Sequence, residues 1–88
     1  MTDRYADFIT AIRDRAKLLR AAAEATEREA ALHVEVHASG RTVLDLTPEE
    51  QRRHAIAMED AREALREDGY ACSRAESCIH AHIREVSR

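Results

Sequence analysis

The chain has 88 residues, a net charge of -3 and 44% hydrophobic residues, which describes one small domain. That charge balance argues against a general nucleic-acid binder, which is usually basic, and is too mild for a mimic of DNA. No window is apolar enough to span a membrane and the N-terminal residues lack a secretory-type apolar run, so the cytoplasm is the expected location and the two cysteines are expected to be thiols.

Alanine is the largest single part of the hydrophobic fraction: Ala supplies 17 residues, while Val, Ile, Leu, Met and Phe together supply 18. Such a core buries little area per residue, and small domains are marginal to begin with. Either the helices pack very closely, or a second copy or a partner supplies the missing core; the second is favoured here, and a homodimer is expected. Arg accounts for 13 of the 14 basic residues and Lys17 for the other. Together with the alanine content this suggests a GC-rich genome, bacterial or phage.

The first helix is expected from Asp3 to about Ala30, capped by Thr2 or Asp3, with Asp3 and Asp7 in the early turns where the helix dipole favours negative charge. Its apolar positions are Tyr5, Phe8, Ile9, Ile12, Ala16, Leu19, Ala23, Thr26 and Ala30, a heptad-like stripe. A helix of this span is a rod of roughly 42 Å. A compact monomer of this size is only about 25 Å across, so the rod should protrude and need cover. Tyr5, Ile9, Ile12, Ala16, Leu19 and Ala23 are the residues expected to mediate self-association.

Leu32 to Leu46 reads differently. Leu32, Val34 and Val36 alternate with His33, Glu35 and His37, and Thr42, Leu44 and Leu46 alternate with Arg41, Val43 and Asp45. With Ala38-Ser39-Gly40 as a loop and Gly40 left-handed, Val36 faces Thr42, Val34 faces Leu44 and Leu32 faces Leu46. The pattern predicts a β-hairpin over about 32–46 with one apolar face lying on helices. It competes with a first helix that runs through His37 and stops at Gly40; the alternation favours the hairpin.

Thr47, Pro48 and Glu50 then form a helix start: an N-cap, a proline at the first helical position and a capping box. A second helix is expected over about 48–68, ended by Gly69, with Ala57, Met58, Ala61, Ala64 and Leu65 inward and Ile56 at the margin. Ser73 and Glu76 suggest a further capping box and a third helix over about 74–87, whose stripe is Ala75, Cys78, Ile79, His82, Ile83 and Val86. The expected fold is thus mainly α: a long N-terminal helix, a short β-hairpin and two helices packed as a small bundle.

Three groups of residues invite a chemical reading. Cys72, Cys78 and His82, spaced Cys-x5-Cys-x3-His, resemble the last three ligands of CCCH zinc fingers and imply a zinc site. The resemblance covers only that segment; where such fingers place a further Cys upstream, this chain has Arg62, Glu63 and Ala64. A fourth ligand would come from His54, His33, His37 or another subunit. His33, Glu35, His37, Arg41 and Asp45 form the outer face of the expected hairpin, a candidate for partner binding; on a helix, by contrast, His33 and His37 would stand one turn apart and could share a metal. Arg13, Lys17 and Arg20 make a basic stripe on the first helix that could contact phosphates, although Asp14 and Glu24 interrupt it and aromatic residues for stacking are scarce.

An enzyme is not expected. There is no glycine-rich phosphate loop, no serine elbow and no Glu-x-x-His pair of the kind that builds di-iron bundles. The sequence is read as a small interaction module, homodimeric, acting on an unidentified protein partner as a regulator, inhibitor or assembly factor; its size and composition fit an accessory protein of a phage or mobile element. The competing readings are a zinc-stabilised module and a DNA-associated regulator that uses the basic stripe.

Overall fold

The structure is a computed structural model that describes residues 3–87; the cap candidate Thr2 lies outside them. Two helices make up almost all of it, α1 over Arg4–Ala38 and α2 over Pro48–Val86, joined by a short link that contains a 3-10 turn at Val43–Asp45. They pack antiparallel as one hairpin measuring 65 × 18 × 15 Å. The radius of gyration is 19.3 Å, where a compact chain of this length has about 12 Å.

Each helix contributes a seam with steps of three and four residues. On α1 the seam is Phe8, Ala11, Arg15, Leu18, Ala22, Ala25, Glu29, Leu32 and Val36; on α2 it is Glu50, His54, Ala57, Ala61, Ala64, Asp68, Ala71, Ala75, Cys78 and His82. All of these are buried or half-buried. The fully buried apolar residues are alanines except for Leu32 and Val36. Side chains this small let two helices approach closely along their whole length.

No β-hairpin forms at 32–46: among the described residues there is no strand, and α1 continues to Ala38. Leu32 and Val36 fit both a period of two and a spacing of one helical turn, and Val34 distinguishes the two. In a hairpin Val34 would share their apolar face, but it is 67% exposed while Leu32 and Val36 are 1% and 2% exposed. The helix buries both large residues against the start of α2, whereas a two-stranded ribbon in isolation is marginal. Gly40 does take the left-handed conformation (φ +75°), but as a helix cap rather than a hairpin turn. The Arg41 N–H donates to Val36 O at 3.1 Å and the Gly40 N–H to His37 O at 3.0 Å, the paired bonds of a Schellman motif.

The expected second and third helices are one. Gly69 keeps a negative φ and sits within α2, and Ser73, instead of capping a new helix, donates its hydroxyl to Gly69 O at 3.2 Å. The alanine seam runs through the glycine without a break, and burying it outweighs the roughly 1 kcal/mol by which an interior glycine weakens a helix. Asp3 caps α1 by accepting from the Ala6 N–H, and the start of α2 is as expected, with Thr47 and Glu50 in a capping box and Pro48 first in the helix. The first helix also does not protrude, because α2 runs alongside it. What remains uncovered is a side of the hairpin, not an end.

Candidate functional site

The two sides of the hairpin flanking the seam differ in chemistry. On one, charged side chains face each other across the helices: Arg53 reaches Glu35 at 3.4 Å, Arg28 reaches Asp60 at 2.7 Å and Arg74 reaches Asp14 at 3.8 Å. These pairs stand one position before the seam on both helices. Such exposed pairs contribute little stability each, but they match charge across this side, which also carries the exposed Ile56 and Tyr70 of α2.

The other side, one position past the seam, is apolar. Tyr5, Ile12 and Leu19 lie there on α1, with Ile9, Ala16 and Ala23 beside them. In an antiparallel pair the matching positions of the second helix fall on the same side; here they are Met58, Leu65, Cys72, Ile79 and Val86, with Ile83 adjacent. Tyr5 is 48% exposed, Leu19 43%, Leu65 54% and Val86 66%. The bulky stripe that the sequence marks for self-association is therefore not the inner seam of the hairpin. It lies beside that seam and is open to solvent, together with a second bulky stripe on α2.

The total accessible surface, 6524 Å², exceeds the roughly 5,200 Å² of a compact chain of this mass. The same scaling for one compact body of two chains leaves about 4,300 Å² to be buried between two such hairpins. That falls within the roughly 2,000–5,000 Å² of obligate homodimer interfaces.

The residues expected to bind a partner from the outer face of a hairpin take other positions, and that face does not exist. His33 turns towards α2, Glu35 pairs with Arg53, and His37 lies exposed in the last turn of α1. Arg41 is committed to the link: its guanidinium donates to Glu50 Oε1 at 2.6 Å and Oε2 at 2.9 Å. Glu50 also accepts from the Thr47 N–H at 3.0 Å. These donors, Arg41 foremost, pull the Glu50 carboxyl down to about 2 from its ordinary 4.5. Thr42 and Asp45 form a further capping box within the link. The connection is thus clamped by side chains at both ends.

Cys72, Cys78 and His82 do not converge. Cys72 lies on the apolar side with Sγ 3.9 Å from Glu76 Oε1, while Cys78 is in the seam, six residues along the same helix. His82 packs its ring against Tyr5, centroids 5.0 Å apart. The basic stripe of Arg13, Lys17 and Arg20 is exposed on the outer face of α1, and none of the three makes an ion pair among the described residues.

The metal-type cluster that does form lies elsewhere. Glu29 and His33, one turn apart on α1, meet His54 of α2, and one ligand atom from each lies within 4.8 Å of the other two. His33 Nε2 is 3.2 Å from His54 Nδ1, and Glu29 Oε1 is 3.4 Å from the same Nδ1. The signal available in the sequence was the Glu-x3-His spacing of Glu29 and His33, which means something only once α1 is helical there.

Among the described residues no helix is long and apolar enough to cross a membrane. Compared with known proteins, the chain matches no family model, no curated protein and no solved structure.

Proposed function

We propose that the chain is a small protein–protein interaction module whose working form is a homodimer, two hairpins joined through their apolar sides into a four-helix bundle. The observation that carries this reading is the exposed apolar side made by Tyr5, Ile12 and Leu19 of α1 with Leu65, Ile83 and Val86 of α2. Exposed apolar area of this extent marks an interaction site. A second copy is the occupant that fits, because the surface supplies the large side chains that the alanine-rich seam lacks and two such stripes can pack on each other. In the dimer the bulky stripes form the main core and the salt-bridged sides face outward.

In this reading the module acts by binding, as a regulator, inhibitor or assembly factor, and presents the outer faces of a rigid bundle to a protein partner. The test is the double variant Leu19→Asp/Leu65→Asp, compared with the unmodified chain by size-exclusion chromatography with light scattering. Charges buried at the centre of the bundle should shift the mass from that of two chains to that of one. A mass of two chains in both proteins overturns the proposal.

A further inference from the structure

We infer that Glu29, His33 and His54 form a binding site for one divalent transition-metal ion of the zinc class, which bridges α1 and α2 near the linked end of the hairpin.

The first argument is geometric. A tetrahedral zinc ion with bonds of about 2.0–2.1 Å holds its ligand atoms about 3.3–3.4 Å apart. The His33 Nε2 to His54 Nδ1 separation is 3.2 Å, and the Glu29 Oε1 to His54 Nδ1 separation is 3.4 Å. Two of the three edges of the ligand triangle are thus already at metal-bound length, and the third lies within 4.8 Å. All three side chains come from helices, and the link between those helices is clamped by Arg41 and Glu50, so the atoms are held by rigid elements.

The second argument is the proton count. Both short contacts fall on one atom, His54 Nδ1, which carries at most one proton. If that proton is present, Glu29 Oε1 and His33 Nε2 compete for it. If His33 Nε2 carries a proton instead, it donates to His54 Nδ1, and the Nδ1 lone pair is left close to the Glu29 carboxylate. A cation at the centre of the three atoms takes a lone pair from each and removes the conflict.

The third argument is the setting. Glu29 and His54 hold seam positions flanked by the buried Ala25, Leu32 and Ala57, so these two polar side chains interrupt the apolar packing there. All three residues are half-buried, which leaves an approach for an ion. Two imidazoles and one carboxylate suit zinc and its neighbours in the first transition row, whereas calcium and magnesium prefer oxygen donors.

The test uses the full chain purified without a metal-affinity tag. Cobalt(II) is titrated in with visible absorption as the readout, zinc is then used to displace it, and native mass spectrometry counts the ions. The expected result is one ion per chain, with the intense visible bands of a low-coordinate cobalt site that zinc abolishes. His33→Ala and His54→Ala should each weaken binding by roughly tenfold or more, since loss of outer-shell support alone costs that much. Circular dichroism establishes that these variants remain helical. Cys72→Ser and Cys78→Ser should bind as the unmodified chain does. The inference is overturned by an absence of binding below millimolar metal, by binding that survives both histidine substitutions, or by binding lost in either cysteine variant.

Discussion

Asp68 of α2 accepts two hydrogen bonds from the guanidinium of Arg15 of α1, at 2.8 Å from Nε and 3.3 Å from Nη2, across a part of the seam where the nearest buried residues are alanines. It is the buried charged residue of the hairpin. The alanine positions of the seam are alike and do little by themselves to fix how one helix is placed along the other. A directional, two-pronged ion pair sets a single register. The same pairing holds the Arg15 guanidinium above its ordinary range, chiefly through the hydrogen bond to Asp68.

Asp68→Ala should therefore lower the melting temperature and broaden the transition, because Arg15 keeps its charge without a partner. The double variant Arg15→Leu/Asp68→Leu should recover much of the stability while losing the unique register. Thermal melts give the first effect. Amide spectra with more than one set of resonances would show the second.

Acid should loosen the link first. The Glu50 carboxyl titrates at about 2 in the folded chain against an ordinary 4.5, so it binds fewer protons when folded than when unfolded over that range. Its stabilising contribution is fully present above about pH 4.5 and is lost as the pH falls towards 2. In Glu50→Gln that part of the pH dependence should disappear, and its melting temperature should fall less than that of the unmodified chain between pH 5 and pH 2.

Core substitutions should fail in both directions. Leu32→Ala removes one of the two largest fully buried side chains and should cost about 3 kcal/mol. Ala25→Leu inserts bulk where the helices meet at 0% exposure and should cost about 1–3 kcal/mol. Denaturant titrations check both. Ala25→Leu with unchanged stability would mean that the helices do not approach as closely as the seam implies.

Gly69→Ala should stabilise the protein by up to about 1 kcal/mol. Gly69 lies inside α2 with a negative φ, and a Cβ built there meets nothing within 4 Å. Had the glycine ended one helix before another began, the same change would have been destabilising.

The helix starts were legible in the sequence, but the architecture was not, since the expected β-hairpin and third helix do not form. The Thr47-Pro48-Glu50 start, the Asp3 cap and the left-handed Gly40 were each specified by local chemistry. The bulky stripe on α1 was visible too, but its place was not. Two stripes, one bulky and one of alanine, run one position apart, and hydrophobicity alone points to the bulkier one. The structure uses the alanine stripe inside the hairpin because small side chains permit close packing over the full length. The two errors in the elements share a cause. Leu32 and Val36 satisfy two periods at once, and Gly69 is as good a stop signal as Gly40; only the seam on the opposite helix decides between the readings. The metal cluster was hidden for the same reason, since His54 meets Glu29 and His33 only when both helices run unbroken past each other.

The central claim is that the apolar side of the hairpin is covered by a second copy, and sedimentation equilibrium of the unmodified chain tests it most directly. The account predicts the mass of two 10.0 kDa chains at micromolar concentration, with helix content and oligomer lost together on dilution. A folded, fully helical species with the mass of one chain at those concentrations would contradict it.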